Sequence, residues 1–382
     1  MLEVSIIHRH ILWELFKASA AAVGLFTFIL LTGNAIREIL AFLLDGRMNL
    51  SLFMYLIALL LPYVFAYAMP MGVLMGVLMV LGRMCAQGEY TAYRASGVSL
   101  KYLSVPIWAF AACGVLLLIV VNFYYAPTAR SSYYTTLAET IRVDPLRFII
   151  PKTFVKEFPG YILYARERDG NVLRDFWIWE LDEHNRPLKL VRSREGRLIY
   201  DERDDSLNLD LKQGFSELRD TKNPDDLKTI RPTLSFDHAN VKLTLNRLLT
   251  GEQKGGLTVL TLDKLVKLEK ELKVKVKADP KDMKTKETLS QLKFQIQQNF
   301  AFAFAVLSLT IVGVPLGIKA SRRETSANLA IALGLALTYY FLIIMTSWLS
   351  RTPALRPDLL VWLPNVAFMV IGGAMLFRTN KE

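Results

Sequence analysis

The 382-residue sequence has few of the residues that build disulfide frameworks or metal sites: only 2 cysteines and 4 histidines. Cys85 and Cys113 fall at the end of one apolar stretch and inside another, so no disulfide framework is predicted. His8 and His10 are close together but have no further ligand types nearby. The sequence therefore predicts no metal site.

Recognisable catalytic motifs are also missing. There is no G-x-S-x-G motif, and the one near-match to a phosphate-binding loop, Gly251 to Thr258, has Leu257 where a lysine must reach the phosphates. We therefore predict no catalytic residue, no cofactor and no ATP hydrolysis by this chain itself.

Charged residues are absent from six long stretches: 18–36, 48–82, 102–129, 294–318, 325–350 and 359–377. A bilayer core about 30 Å thick needs roughly 20 apolar residues in a helix. The sequence excludes a soluble enzyme. It predicts an α-helical membrane protein with six transmembrane helices, three on each side of a large polar insertion. Pro62 and Pro70 interrupt the second stretch, so we expect an interfacial or re-entrant piece near 50–60 and a true span ending near Gly82.

The net charge of +11 flanks the apolar stretches, which favours a membrane protein over a nucleic-acid-binding one. Basic residues are more frequent on one side of the predicted membrane than on the other, where the short loops carry only Arg37, Arg47, Arg351 and Arg356. The richer side has Arg9, Lys17, Arg83, Arg94, Lys101, Lys319, Arg322, Arg323, Arg378 and Lys381. The positive-inside rule therefore predicts cytoplasmic termini and an external insertion.

The insertion, residues 131–260, has the alternating pattern of β-strands. In Ser206–Lys212 and Val241–Asn246, leucine or valine alternates with polar residues, which is typical of half-buried strands. Further candidate strands are Phe148–Phe158, Tyr161–Arg168, Asp175–Leu181, Leu188–Arg192 and Leu198–Tyr200. Turn signals at Asp169-Gly170-Asn171 and Glu195-Gly196 separate several of them. Many short strands at this spacing favour a sandwich, a jelly roll or an open barrel.

The inward positions of these strands carry large apolar side chains: Leu207, Leu209, Leu211, Val241, Leu243 and Leu245, with Tyr161, Leu163, Phe176 and Ile178 as further members. A closed core and an open apolar groove would use the same set, so the periodicity leaves both alternatives open.

A lysine-rich helical connector is predicted at 261–293, before the last three spans in 294–382. Leu262, Leu265, Leu268 and Leu272 have helical spacing. The lysines form either a solvated helix face or a surface attracted to anionic lipid. Asp279-Pro280 is typical of a helix start, and that helix is expected to continue into the fourth span.

The segment between spans two and three, within the transmembrane region 1–130, contains a predicted short helix near 87–96. Glu89 lies near its start, where the helix dipole favours a carboxylate. Tyr90, Tyr93 and Arg94 share one surface, and Gly97 can end the helix in the left-handed conformation. The helix either lies on the lipid surface or inserts into a cytoplasmic partner.

Three motifs resemble those of the lipopolysaccharide export permeases LptF/LptG (also called YjgP/YjgQ). They are Gly88-Glu89 with Arg94-Ala95-Ser96-Gly97-Val98, Gly313-Val314-Pro315-Leu316-Gly317-Ile318, and Trp362-Leu363-Pro364-Asn365. Arg37 followed by Asp45-Gly46 resembles LptF more than LptG. The chain departs from the family at Gln297-Gln298-Asn299, where basic residues are common, so these positions supply no positive charge.

The resemblance implies a non-catalytic permease subunit of an ABC transporter in the inner membrane of a Gram-negative bacterium, with a periplasmic β-jellyroll. The implied partners are the paralogous permease subunit, an LptB ATPase dimer, LptC and the periplasmic jellyroll bridge, and the cargo is lipopolysaccharide. Glu89, Tyr90, Tyr93, Arg94 and Gly97 are then expected to couple to the ATPase. Arg37, Leu209, Leu211 and Leu243 are expected to contact the lipid.

Two other classes remain possible from the residues alone. A secondary transporter can also be built from three plus three spans, but it usually needs an intramembrane carboxylate, and the six stretches contain none. A membrane-anchored ligand sensor would not need six spans.

Overall fold

The computed structural model describes residues 6–36, 40, 43–44, 48–143, 149, 151–155, 160–182, 186–201, 206–218, 231–244, 256–279, 282–319, 325–349 and 356–381. Among these residues, six segments are long and apolar enough to cross a membrane: Ile6–Gly33, Leu50–Ala86, Leu100–Thr140, Met283–Lys319, Ala330–Trp348 and Pro357–Thr379. The predicted three plus three arrangement around a β-domain is confirmed.

The helices before the β-domain are α1 (Ile6–Leu30), α2 (Leu50–Ala86), α3 (Glu89–Ala95), α4 (Leu100–Val120) and α5 (Ala126–Val143). π-helical turns follow α1 at Leu31–Ile36 and α4 at Val121–Tyr125. After the β-domain come a 3-10 turn at Gly256–Val259, α6 (Leu262–Ala278), α7 (Met283–Lys319), α8 (Thr325–Trp348), α9 (Pro357–Leu360) and α10 (Leu363–Lys381).

The chain forms two compact units. The helical unit consists of Met1–Glu38, Ile57–Arg130 and Leu257–Glu382, and the β-unit consists of Ile39–Leu56 and Ser131–Gly256.

The expected break in the second span is wrong. Helix α2 runs without interruption from Leu50 to Ala86, with Pro62 and Pro70 inside it. A proline removes one backbone hydrogen bond, and in a helix bundle the neighbouring groups and small local adjustments can satisfy the freed carbonyl.

The fourth span begins at a different residue from the one predicted. Asp279 caps the end of α6, and Asp282 caps the start of α7 by accepting hydrogen bonds from the backbone N–H groups of Lys284 and Thr285 at 3.0 and 3.2 Å. Pro280 lies outside the described residues. The continuous helix from the connector into the fourth span is confirmed, because α7 extends from Met283 to Lys319.

Small residues set the close crossings of the helical unit. A Cβ atom added at Gly76 would lie 2.1 Å from the Ser19 hydroxyl, and one at Gly317 would lie 2.9 Å from Cβ of Leu81. Helices α1 and α7 therefore approach α2 at distances that only glycine allows. The two glycines of the motif from Gly313 to Ile318 serve this packing.

The described part of the β-unit contains one antiparallel sheet whose six strands pair in sequence order. The strands are β1 (Phe154–Val155), β2 (Tyr161–Asp169), β3 (Val172–Leu181), β4 (Pro187–Asp201), β5 (Ser206–Leu218) and β6 (Arg231–Thr244). The turn at Gly170 is confirmed, with a φ of 57°. The prediction of a turn at Glu195-Gly196 is wrong, because both residues lie inside β4, where they pair with Lys212 and Leu211 of β5.

One face of this sheet is buried. It includes Leu163, Phe176, Ile178, Leu209 and Leu211, each at most 2% exposed. Leu209 pairs with Leu198 on one side and Val241 on the other. The inward positions predicted from the alternation are confirmed for these five residues, whereas the predicted Tyr161 and Val241 are half-buried. The side chains of Leu207, Leu243 and Leu245 lie outside what the structure describes.

Candidate functional site

Helix α3 connects the second and third spans and is held by glycines at both ends. Gly88 precedes it with a φ of 74°. Gly97 follows it with a φ of 84°, and its predicted left-handed conformation is confirmed. The Val98 N–H donates to the Tyr93 carbonyl at 3.0 Å, and the Gly97 N–H donates to the Arg94 carbonyl at 3.1 Å. This is a Schellman motif, which satisfies the last carbonyls of a helix and fixes the direction of the chain that follows.

The side chains of α3 divide between two surfaces. Tyr90 and Tyr93 pack against the apolar core of the helical unit, and burial raises the pKa of the Tyr90 phenol. Thr91, Ala92 and Ala95 are exposed. The tyrosines therefore fix how α3 is seated and leave a face of small residues outward.

Glu89 occupies the first turn of α3 and is half-buried. Within the described part of the chain, its carboxylate has no hydrogen-bond or ion-pair partner. A carboxylate that has no partner in its own chain can form an ion pair with a cationic side chain of another molecule.

A large apolar cavity of about 630 Å³ lies between α1, α2 and α4. Its lining includes Val23, Phe28, Leu61, Phe65, Phe110 and Leu117. The chemistry of this lining suits hydrocarbon chains, because nearly all of the surface that it presents is aliphatic or aromatic.

Two hydroxyls in the same cavity wall have no hydrogen-bond partner among the residues that the structure describes: Ser19 Oγ and Thr27 Oγ1. A buried hydroxyl without a partner costs about 1–3 kcal/mol.

A small polar cavity of about 80 Å³ lies elsewhere in the helical unit, next to the π-helical turn after α4. Asn122 in that turn donates to the Asn299 carbonyl at 3.0 Å, and Gln295 donates to the Asn299 side chain at 3.0 Å. The guanidinium carbon of Arg130 lies 4.4 Å from the centre of the Tyr63 ring. Both residues also line the cavity.

The sequence did not predict this polar cavity. Gln298 and Asn299, which belong to the stretch that replaces the family's basic residues, line it together with Arg130 of α5. The available signal was Asn122 within an otherwise apolar stretch, but its partner is 177 residues away.

The structure describes the side chains of only two of the four predicted lipid contacts. Leu209 and Leu211 are fully buried in the β-unit, both at 0% exposure. Leu243 pairs with Leu207 in the backbone of the sheet, but its side chain lies outside what the structure describes. Arg37 also lies outside the described residues.

The sequence profile of one family, Lipopolysaccharide export system permease LptF/LptG, matches residues 9–378. The match covers nearly the whole chain, including both sets of spans and the β-domain. The chain belongs to the LptF/LptG family. No match was found among curated proteins.

Membership of the LptF/LptG family makes the chain a lipopolysaccharide export permease and a multi-pass inner-membrane protein. The motif at Trp362 has a structural role in this permease. The Trp362 indole donates to Gln297 at 3.0 Å, and the Asn365 side chain accepts hydrogen bonds from Ser308 and Tyr339, both at 3.1 Å. These bonds connect α7, α8 and α10 in the helical unit.

Proposed function

We propose that the chain is the non-catalytic transmembrane subunit of an ABC transporter that extracts lipopolysaccharide from the inner membrane. It pairs with its paralogue of the LptF/LptG family, and a cytoplasmic LptB ATPase dimer supplies the energy. The β-unit passes the lipid to LptC and the periplasmic bridge. LptF remains the favoured paralogue because of Arg37 and Asp45-Gly46.

The observation that carries this proposal is the apolar cavity between α1, α2 and α4. An exporter of an acylated saccharide needs a place for acyl chains inside the membrane, and this cavity has the required lining. Family membership favours this assignment over an ion-coupled carrier or a sensor.

Helix α3 is the proposed contact with the ATPase, with Glu89 as its charged group. Tyr90, Tyr93, Arg94 and Gly97 hold and orient the helix for that contact. The packing of the two tyrosines and the Schellman motif at Gly97 support an orienting role.

Arg37 is proposed to contact a lipid phosphate near the external end of the first span. The alternative is an interfacial anchor with its charge in the headgroup region. The substitution Arg37→Lys keeps the charge but loses the two-pronged geometry. Reduced lipid crosslinking in Arg37→Lys supports the contact, whereas unchanged crosslinking in both Arg37→Lys and Arg37→Ala contradicts it.

Photocrosslinking tests the cavity directly. A benzoylphenylalanine at Leu61 or Leu117 in the complex with the ATPase should form lipopolysaccharide adducts that decrease when ATP is added. Ile371 is an exposed apolar residue of α10 outside the cavity and is the control position. Adducts of equal yield at all three positions, insensitive to ATP, would contradict an acyl-chain site.

A further inference from the structure

An aromatic cluster lies on the face of the sheet opposite the buried leucines. It consists of Phe154, Tyr164, Trp177 and Trp179, from strands β1, β2 and β3. Ring-centre distances are 5.0 Å for Phe154–Tyr164, 5.9 Å for Tyr164–Trp177, 5.5 Å for Trp177–Trp179 and 5.6 Å for Phe154–Trp179. The four rings therefore form one continuous patch.

This aromatic cluster is accessible. Phe154 is 56% exposed, and Tyr164, Trp177 and Trp179 are half-buried. Phe176 and Ile178 alternate with the tryptophans and are buried on the other face. These rings are therefore not part of the buried core of the β-unit. Contiguous exposed apolar patches on protein surfaces mark interaction sites.

Polar groups hold the edge of the aromatic cluster in place. The Trp177 indole donates to Asp175 at 2.8 Å, and Arg192 donates to the same carboxylate at 3.2 Å while stacking on the Trp177 ring at 4.5 Å. Asp175 adopts a φ of 50°, which is uncommon for a residue other than glycine. The site is thus ordered before any ligand arrives.

Two arginines lie close to the Asp175 carboxylate at this edge. Arg192 donates a hydrogen bond to it, and the charge of Arg166 helps to lower its pKa. Flat aromatic faces flanked by charged hydrogen-bonding groups suit a sugar ring, because its C–H face packs on the aromatic ring while its hydroxyls bond at the edge. The guanidinium groups suit an anionic substituent on that sugar.

We propose that the aromatic cluster binds the anionic saccharide part of lipopolysaccharide as the lipid passes the β-unit. This inference rests on the proposed function and concerns only the sugar half of the amphiphile.

Saturation-transfer NMR with the purified full-length chain in detergent tests the proposal. The probe is the deacylated oligosaccharide of lipopolysaccharide, which has no acyl chains to enter an apolar site. Phe154→Ala and Trp179→Ala should each weaken binding about fivefold, as expected for the loss of one ring contact. Trp179→Phe keeps a ring and should retain most of the binding.

The control is Ile199→Ala, which truncates an exposed apolar residue of β4 outside the cluster and should bind normally. Circular dichroism and thermal midpoints verify folding, and Phe154 is exposed enough to be truncated without a cavity. Unchanged binding in both ring variants, or no binding by the parent protein, would overturn the proposal.

Two further outcomes separate this proposal from its alternatives. In lipid nanodiscs, a photoreactive group at Phe154 should label the oligosaccharide; labelling of phospholipid instead would make the cluster a membrane-surface anchor and overturn the proposal. If oligosaccharide binding is absent but ATP-driven lipopolysaccharide release is normal, the cluster assignment fails while the proposed function stands. If release itself is absent, the proposed function fails.

Discussion

The carboxylate of Glu14 lies 2.6 Å from the guanidinium of Arg83, and it also lies 2.6 Å from the ammonium of Lys17. Glu14 belongs to α1, whereas Arg83 is in the last turn of α2, just before α3. Glu14 is 15% exposed, so the pair is partly shielded from water. The ion pair therefore fixes the end of α2 from which α3 departs.

A double-mutant cycle with Glu14→Gln and Arg83→Met should give a coupling free energy of about 1 kcal/mol, at the upper end for partly exposed pairs. Thermal unfolding of the purified protein measures it. Glu167 and Arg174 are the control pair, because they are 3.8 Å apart and about 60% exposed. Their coupling should be near zero. Equal coupling free energies for the two pairs would show that the Glu14–Arg83 ion pair stabilises the fold no more than an exposed pair does.

The second prediction concerns Gly97. Its φ of 84° is unfavourable for an alanine, so Gly97→Ala should destabilise the end of α3 by about 1 kcal/mol. The affinity for the ATPase should fall up to about fivefold. Gly97→Asn should be milder, because asparagine tolerates this conformation better. Copurification and titration with the ATPase measure the effect, and full affinity in Gly97→Ala would contradict a role for this cap.

The third prediction concerns the crossing of α1 and α2. An added Cβ at Gly76 would meet Ser19 Oγ at 2.1 Å and the Ser19 backbone nitrogen at 2.8 Å, so Gly76→Ala should destabilise the helical unit by about 1–3 kcal/mol. Gly334→Ala is the matched control, since nothing lies within 4 Å of its added Cβ. A comparison of thermal midpoints distinguishes them. Equal midpoints would mean that α1 and α2 do not pack this closely.

The fourth prediction concerns the pH dependence of the β-unit. The hydrogen bond from the Trp177 indole, followed by the bond from Arg192, lowers the pKa of Asp175 below its usual value. The ionised carboxylate therefore stabilises the folded state above about pH 4, and this stabilisation is lost as the pH falls through the lowered pKa.

Unfolding monitored by tryptophan fluorescence should show a stability difference between the parent protein and Asp175→Asn at neutral pH. The difference should shrink under acidic conditions. Trp177→Phe removes the indole donor and should lose much of the same pH dependence. A difference that is constant from neutral to strongly acidic pH would contradict this account.

Much of the fold could be predicted because its signals are local. The absence of charge over 294–318 requires a membrane span whatever its neighbours are. The alternation around Leu209 and Leu211 assigns one face of β5 to the core, and the structure confirms it. Gly97 ends α3 as predicted, because its conformation depends on the chain next to it.

The errors arise where distant contacts override local signals. Gly196 predicts a turn, but it lies inside β4, where an added Cβ would be 3.1 Å from the Leu211 side chain. Pro62 and Pro70 predict a break, but both are accommodated within α2. The polar cavity at Asn122 is lined by residues from α5 and α7, which are far apart in the sequence. Hydrophobic periodicity within one helix does not reveal that they meet.

The central claim is that an ATPase drives this permease through α3, and Glu89→Ala tests it most directly. Proteoliposomes would contain the chain, its paralogue and the LptB dimer, and the measurement is ATP-dependent release of lipopolysaccharide to the periplasmic bridge protein. The control is Thr91→Ala, an exposed residue of the same helix without charge. We expect Thr91→Ala to release lipid normally. Glu89→Ala should lose the ATPase or hydrolyse ATP without release, because truncating one partner of a desolvated charge pair costs about 2–5 kcal/mol. Normal ATPase binding together with normal release in Glu89→Ala would contradict the account.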